Sequence, residues 1–330
     1  MAEYYKESFG RRGHERKKKR TKSVWTVLAD WTMYLVSLLL ICTTVTILAM
    51  HYTPPQRMWE LPILTLFAPI VYILDIAAML YWVIRWRWRY ALAMCAFVLI
   101  CTIYLPLYCK IDLARKYDTK YVERNFTKVV TYNIANGNNS ELVDYVRGLR
   151  PDIVCLQEYL TDADEKWRAL GDEYRSTISD GNDFSCEIFT KYRIVRQGEI
   201  DSLGRYTAVW ADLRIADDTV RVVSLHLQST SIHPEDTQFI QRHEYIYDTE
   251  RETKLRSIVA RLAENTRKRA VQVEHIRRFI DATPYKTIIC GDFNDVPLSY
   301  AYHRIAKGLN DTFSEAGDGY SYTFDGYFRL

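Results

Sequence analysis

Cysteine is scarce in this chain where a disulfide-built scaffold would need it. Seven cysteines occur in 330 residues, and only Cys155, Cys186 and Cys290 fall after the apolar N-terminal third. Three is an odd number, and Cys155 and Cys290 lie inside apolar strand-like runs, where cysteine acts as a small buried hydrophobe. The pattern excludes a disulfide framework, a zinc site and a cysteine nucleophile. No internal repeat is visible.

Positive charge is also sparse outside the N-terminal region. The whole chain carries +3, residues 1–22 carry +6 and residues 23–110 carry +2, which leaves −5 for residues 111–330. A surface that binds duplex DNA or RNA normally needs a positive field. The balance therefore counts against nucleic acid as the substrate, although a local basic groove is compatible with a negative total.

Residues 1–22 form a basic tail with nine Lys or Arg, three acids and almost no apolar side chains. We expect this tail to be disordered in water. Such a run attracts nucleic acid or anionic lipid, or it flanks a membrane helix as a topogenic signal. The apolar segments that follow favour the topogenic interpretation.

Three long apolar segments follow, at residues 24–50, 61–84 and 90–109. Each reaches the ~20 residues that a helix needs to cross a bilayer, and together they are too long and too numerous for a cleavable signal peptide. Six tryptophans lie at or near their ends, which is typical of an interfacial aromatic belt. The sequence therefore predicts a membrane domain over residues 23–110 with three transmembrane helices.

Two acids interrupt these segments, and each would cost roughly 2.5 kcal/mol or more at the bilayer centre. Asp30 is close enough to the start of the first segment to reach the interface. Asp75 is near mid-span, so we expect it to face a partner helix or to be protonated. An ion pathway is the alternative for Asp75, but no matching cation accompanies it.

The distribution of cations predicts the orientation. The tail and the Arg-rich loop at residues 85–89 are strongly positive, whereas the loop at residues 51–60 carries one Arg and one acid. The tail and the second loop are therefore predicted to be cytoplasmic, which puts the domain after the third span outside the cytoplasm, in the periplasm or extracellular space. Five Lys or Arg after the third segment weigh against this orientation, and three acids partly offset them.

Residues 111–126 read as a polar linker, and residues 127–330 as one soluble domain with a sizeable core. Its first elements are a strand at 128–134, a helix capped by Ser140 and a strand at 152–158, a β-helix-β unit typical of parallel pairing. Asn133 places an amide at the end of the first strand. Glu158 closes the second, and because a buried carboxylate needs a cation or donors, it is a candidate metal ligand.

Further strands are predicted at residues 187–192, 206–215 and 219–227. Along the last of these, one face changes from apolar to polar at His226, where the strand ends. A lone histidine is usually structural, but this strand end turns polar in the same way as the others, which favours a functional role. The six remaining histidines have no partners at ligand spacing and are predicted to be non-catalytic: His14, His51, His233, His243, His275 and His303.

The segment at 286–297 is the strongest local signal. Its apolar strand ends at Gly291, and Asp292 and Asn294 project just beyond, where α/β proteins place ligand sites. An ordinary Asx-rich turn is the alternative. Before it, residues 249–280 read as one or two helices with basic residues on the remaining surface, interpreted as a solvated face rather than a phosphate-binding one: Arg256, Arg261, Arg267, Lys268, Arg269, Arg277 and Arg278. Residues 298–307 are predicted to be a helix.

The polar strand ends together supply oxygen ligands and one imidazole. Oxygen ligands suit Mg²⁺ or Mn²⁺ rather than Zn²⁺. A hard cation neutralises charge that develops on a phosphate, an Asp orients water, and a His supports a phosphoryl oxygen or a leaving group. Phosphoester hydrolysis is the function that this set predicts.

Four motifs in order, Thr131-Tyr-Asn-Ile134, Leu156-Gln-Glu158, Ser224-Leu-His-Leu-Gln228 and Gly291-Asp-Phe-Asn294, resemble the endonuclease/exonuclease/phosphatase family. The resemblance covers residues 127–330 and implies a four-layer α/β sandwich of two packed mixed sheets flanked by helices. It also implies that Glu158 binds the divalent metal with Asn133 beside it, that His226 contacts the scissile phosphate, and that Asp292 and Asn294 orient the attacking water.

The family pattern closes with a strand that bears an Asp-His pair, in which His takes the proton from water. In this sequence no His follows Asp325, so we expect the sequence to be truncated and the last strand of the domain to be missing from it. Without the pair the chain would lose general-base help of roughly 10²- to 10⁴-fold in rate.

Three functions remain compatible with the sequence. The first is a membrane-anchored, Mg²⁺-dependent hydrolase of phosphodiesters or phosphomonoesters acting outside the cytoplasm. The second is an extracytoplasmic nuclease on DNA or RNA, and the third is a non-catalytic membrane binding module on a degenerate phosphoesterase fold. The bilayer is the predicted partner, and neither the substrate class nor the oligomeric state follows from the sequence.

Overall fold

A computed structural model describes residues 23–56, 58, 61–111, 126–135, 141–159, 169, 173–177, 185–200, 208–231, 236, 239 and 248–323. The basic tail, nearly all of the linker, the predicted cap Ser140, His233, His243 and Asp325 lie outside the described residues. All five predicted site residues lie inside them.

The N-terminal region is a bundle of three apolar helices: α1 (Val24–Tyr52), α2 (Ala68–Ile84), which continues a 3₁₀ helix at Leu61–Phe67, and α3 (Trp88–Thr102). Two continuous segments, Val24–Tyr52 and Leu61–Ile84, are long and apolar enough to cross a membrane. Only 22% and 28% of their most apolar stretches are buried inside the protein. The core helix of a soluble protein is mostly buried, whereas these two segments are mostly exposed.

The third apolar segment differs from its prediction as a full span. α3 has 15 residues and ends at Thr102, so its length is about 22 Å against the ~30 Å of a hydrocarbon core. A 3₁₀ turn at Leu105–Leu107 follows it, where Pro106 cannot supply a backbone N–H to a continuing α-helix. The chain then forms a short strand, β1 (Cys109–Lys110).

Both acids of the bundle meet polar partners on other helices. Asp75 is fully buried and accepts a hydrogen bond of 2.7 Å from the Thr44 hydroxyl on α1, which confirms that it faces a partner helix. Asp30 accepts from Arg85 at 2.8 Å, at the opposite end of the bundle from the folded C-terminal domain. The carboxylates therefore tie α1 to α2 at two levels.

Ten strands are present among the described residues, and eight of them form two four-stranded sheets. In the first, the order is β2-β3-β5-β4, with bounds Val129–Asn133, Ile153–Tyr159, Ser185–Thr190 and Arg175–Ser176. In the second, the order is β6-β7-β8-β9, with bounds Arg193–Glu199, Ala208–Ile215, Asp218–His226 and Lys286–Asp292. Sequence reasoning did not predict β4 or β6, which have mostly exposed or half-buried residues.

Each sheet contains one parallel pair and is otherwise antiparallel. β2 pairs with β3 across helix α4 (Glu141–Gly148), and β8 pairs with β9 across the 34-residue helix α5 (Asp248–Asp281). Parallel strands need such a crossover, which confirms the predicted β-helix-β unit. The chain finishes with α6 (Tyr300–Ala306), α7 (Thr312–Ala316) and β10 (Gly319–Tyr320), and β10 pairs with β1.

Three apolar clusters arrange these elements in four layers. Between the sheets, side chains of β3 and β5 such as Ile153 and Ile188 pack on Val209 and Val222 of the second sheet. On the outer face of the first sheet, α4 covers β3 and β5. On the outer face of the second, α5 and α6 cover β7 and β8. The order helix, sheet, sheet, helix follows from the alternation of side chains along each strand.

The helical bundle and the sandwich contact each other through the segment that follows β9. Leu298 packs with Ile47 of α1 and with Ala68 and Val71 of α2. Beside it, the rings of His51 and His303 are in contact, with centroids 4.4 Å apart and ring planes tilted by 56°. The contact involves the end of the bundle opposite to Asp30 and Arg85.

Gly291 should be the least replaceable glycine of the second sheet. Its φ is +141°, and a Cβ there would overlap the backbone oxygen of Leu225 on β8 and lie 2.7 Å from its nitrogen. We expect Gly291→Ala to lower the free energy of unfolding by about 2 kcal/mol or more, since both strand backbones must shift. Gly148→Ala is the matched control, because its Cβ meets nothing within 4 Å. Equal thermal midpoints for the two variants would contradict the tight approach of β8 and β9.

Candidate active site

The site lies at the carboxyl ends of the two parallel strand pairs, in the gap between the sheets. Asn133, His226 and Asp292 are the last residues of β2, β8 and β9. Each continues the strand face that supplies the inter-sheet core, since residues two apart in a strand share a face. The Asn133 amide nitrogen donates to Asp292 Oδ2 at 2.9 Å, so one hydrogen bond joins the two sheets.

Glu158 reaches this gap because β3 contains a bulge. Leu156 pairs with Glu187 and Tyr159 with Ser185, so β3 has one extra residue against β5. Glu158 takes a φ of +56° in this bulge. Strict alternation would direct Glu158 to the outer face with Leu156; the left-handed backbone instead brings Oε1 to 3.1 Å from the Asn133 amide nitrogen.

Positive φ values recur at the strand ends. Glu158, Ala135 and Asn294 have φ of 56°, 45° and 50°. Such a conformation costs a non-glycine residue on the order of 1–3 kcal/mol, and strained residues cluster where function needs them. The segment after β9 is itself an Asx turn, in which Asp292 Oδ1 accepts from the backbone N–H of Asn294, and its place at the shared strand ends is what relates it to the site.

Asp292 is fixed through both of its oxygens. Oδ1 accepts from the backbone N–H of Asn294 at 2.8 Å, and Oδ2 accepts from Asn133. The side-chain amide of Asn294 in turn donates to the Leu227 carbonyl at 3.0 Å. Asp292 and Asn294 are thus held as one unit against the end of β8, next to His226.

His226 lies beneath the two carboxylates and is 3% exposed. Its Nε2 is 3.7 Å from Glu158 Oε1 and 4.0 Å from Asp292 Oδ2. Burial lowers the pKa of His226 below its ordinary value, although both carboxylates act in the opposite direction. Burial thus favours the neutral imidazole, whose Nε2 faces both carboxylates at more than hydrogen-bond distance.

A polar layer separates the site from the apolar inter-sheet core. Gln157 is 1% exposed and donates to Ser224 Oγ of the second sheet at 3.0 Å. Its side chain also exchanges hydrogen bonds with Thr131 at 3.3 and 3.5 Å. The Gln157–Ser224 bond cross-links the sheets one step below Asn133 and His226, and the bonds to Thr131 hold Gln157 within the first sheet.

The donor set fits a hard divalent cation. Glu158 and Asp292 converge on one neutral amide group, and among the described residues neither forms an ion pair with Lys or Arg. Two like charges at this spacing repel, so a cation is favoured. Among the described residues, no group of three or more His, Cys, Asp or Glu is arranged to hold a metal ion by itself. Mg²⁺, however, keeps several waters and binds through one or two carboxylates.

Asn133 acts differently from a simple metal ligand. Its amide oxygen accepts from the backbone N–H of Ala135 at 3.0 Å, while its nitrogen contacts both carboxylates. The amide therefore positions Glu158 and Asp292 relative to each other. Its predicted place beside a metal ion stays a prediction.

Sequence reasoning missed Arg269, which was interpreted as part of a solvated face. It is 2% exposed, and its guanidinium donates to Asp295 at 2.9 Å, to the Gln228 carbonyl at 3.0 Å and to Thr266 at 3.0 Å. It thereby joins the chain after β8 to the chain after β9. The signal was present: Arg269 lies four residues before Val273 and seven before Ile276, on the buried stripe of α5.

Two family models match the chain. A model of the Endonuclease/Exonuclease/phosphatase family matches residues 130–329, and a domain of unknown function (DUF8431) matches residues 30–108. The first match contains all five site residues and both sheets of the sandwich. The second covers most of the helical bundle. None of the curated proteins matches the chain.

Several solved structures are similar at low identity. Truncated TDP2 from Caenorhabditis elegans is 17% identical with a TM-score of 0.36, and 51% of this chain and 62% of that chain are covered. The human nocturnin catalytic domain is 16% identical with a TM-score of 0.38, and 55% of this chain and 69% of that chain are covered. Sphingomyelinase C from Streptomyces griseocarneus is 19% identical with a TM-score of 0.39, and 55% of this chain and 68% of that chain are covered. The chain thus spans less than two thirds of the C. elegans structure.

Arg269→Lys tests whether the buried guanidinium positions the strand ends. Lysine keeps the charge but loses the planar fork that contacts three acceptors. We expect kcat on any substrate that the protein turns over to fall about 10- to 100-fold, with a smaller change in KM. A displacement of the reacting groups by about 1 Å lowers the rate by such a factor. Arg256→Lys is the matched control, since that side chain is 79% exposed on the same helix. Equal kcat values for both variants would remove Arg269 from the site.

Proposed function

Since the chain belongs to the endonuclease/exonuclease/phosphatase family, whose members hydrolyse phosphoester bonds, we propose that it is a membrane-anchored, divalent-metal-dependent phosphoesterase. The single observation that carries the proposal is the meeting of Asn133, Glu158, His226 and Asp292 at the open end of the sandwich. Two accessible carboxylates, a buried neutral imidazole and a shared amide are the groups that phosphoester hydrolysis needs.

The roles follow from the contacts. Glu158 would hold Mg²⁺ or Mn²⁺, which supplies charge neutralisation at the phosphate when bound. His226 presents its Nε2–H to a phosphoryl oxygen between the carboxylates. Asp292, fixed by Asn133 and Asn294, accepts a hydrogen bond from the attacking water and thereby orients the water oxygen toward phosphorus. Asn133 keeps the two carboxylates at a constant separation.

Membrane anchoring is supported by the bundle. Leu35, Leu39 and Ile73 are each more than 60% exposed on helices long enough to span, which is costly in water and favourable in lipid. Arg85 and Arg87 lie with Asp30 at one end of the bundle, and the sandwich contacts the other. By the positive-inside rule this supports a cytoplasmic Arg end and an extracytoplasmic catalytic domain.

The test is Mg²⁺-dependent hydrolysis of bis(p-nitrophenyl) phosphate, a phosphomonoester, DNA and RNA by the full-length protein in detergent. We expect turnover of at least one ester that Glu158→Ala and Asp292→Ala each reduce about 100-fold or more, since both remove groups acting on the transition state. Glu199→Ala, on exposed strand β6, is the control for folding and expression.

Other outcomes point elsewhere. Turnover of DNA or RNA alone, with the same dependence on both carboxylates, would identify a nuclease. No turnover by folded protein that binds Mn²⁺ would support the non-catalytic binding module.

A further inference from the structure

The segment directly after the catalytic residues is also the segment that contacts the bundle. Seven residues, 293–299, connect Asp292 to α6; we call them the docking loop. Leu298 of this loop packs between α1 and α2, against Ile47 and Ala68. The same short piece of chain therefore follows the candidate site directly and, together with α5 and α6, attaches the sandwich to the bundle.

Asp295, Leu298 and Ser299 of the loop lie against the bundle. Asp295 and Ser299, with Tyr300 beyond them, face Pro62 and Leu66 of the 3₁₀ helix across a cavity of about 10 Å³. That volume holds at most one water molecule. Arg269 holds Asp295 from the other side. The loop is thus fixed between α5 and the apolar bundle.

This packing limits how far the site can be from the membrane. Ile47 lies five residues before the end of α1, so Leu298 is inserted about 8 Å below that end. Asp292 is six residues from Leu298, and six residues of chain span at most about 20 Å. The headgroup layer occupies roughly 5–8 Å on each side of the hydrocarbon core. Asp292 therefore lies at most about 12 Å beyond the end of α1.

A tether alone does not explain this arrangement. The chain between β1 and β2 would keep the sandwich near the bilayer without any contact to the docking loop. Packing the loop into the bundle also fixes the height and the orientation of the site relative to the bundle, and a fixed height suits a substrate that itself has a defined height. Phosphates of bilayer lipids have one.

We propose that the substrate is a phosphate ester of a bilayer lipid, taken from the membrane surface in which the bundle is embedded. This rests on the proposed function and narrows its substrate class. The reaction is a hydrolysis: the oxygen of one water bonds to phosphorus, the ester P–O bond breaks, and the leaving alcohol oxygen takes the proton.

The experiment reconstitutes the full-length protein with Mg²⁺ in vesicles of phosphatidylethanolamine and phosphatidylglycerol. Product release is compared with that from glycerophosphoethanolamine and glycerophosphoglycerol, which have the same phosphodiesters without acyl chains, at equal bulk concentration. We expect lipid hydrolysis to be at least about tenfold faster, because enzyme and substrate share one surface and its high effective concentration. Glu158→Ala should abolish it.

A second measurement separates surface delivery from chemistry. The substrate lipids are diluted with digalactosyl diacylglycerol, which has no phosphate, at constant bulk phosphate. The rate should follow the mole fraction in the bilayer. The same vesicles receive bis(p-nitrophenyl) phosphate, whose hydrolysis reports the site independently of any lipid.

The outcomes are distinct. Suppose that Glu158-dependent hydrolysis of the aryl diester is observed. The lipid proposal is then overturned, and the phosphoesterase proposal retained, by any of three results: no preference for lipid over the soluble diesters, a lipid rate that does not change on dilution in the bilayer, or nucleic acid as the only good natural substrate. Absence of all hydrolysis overturns both.

Discussion

The hydrogen bond from the Asn133 amide nitrogen to Asp292 is the contact on which the candidate site depends. Asn133 ends a strand of the first sheet, and Asp292 ends a strand of the second. The same nitrogen also contacts Glu158, so one neutral group keeps two carboxylates together that would otherwise repel. The two parallel strand pairs, the bulge in β3 and the tight crossing at Gly291 all serve to bring these three side chains to one point.

Much of the site could be predicted because a strand imposes a period of two. Apolar residues on one face of β8 are followed by His226, and the same change occurs at Asn133 and Asp292, so the sequence indicates which side chains converge. The bulge could not be predicted. It depends on how β5 pairs with β3 over non-local contacts, and without it Glu158 would face away from the site.

The remaining differences have similar physical causes. From hydropathy, the third apolar segment was predicted to reach residue 109. In the structure α3 ends at Thr102, because the turn with Pro106 and the pairing of β1 with β10 follow it. Arg269 looked like one more surface cation, and only the tertiary fold shows that Gln228 and Asp295 supply its acceptors. A charged side chain can be buried when all of its donors are hydrogen-bonded. The position of Arg269 on the apolar stripe therefore indicates its burial better than its charge does.

The docking loop couples the position of the bundle to the geometry of the candidate site. On one side Arg269 fixes Asp295, three residues after Asp292; on the other side Leu298 is enclosed by α1 and α2. A displacement of the bundle relative to the sandwich must therefore move or strain the loop, and Asn294 in that loop already carries a left-handed backbone. Because close-packed interiors transmit such shifts rather than absorb them, the geometry around Asp292 is tied to the position of the sandwich on the bundle.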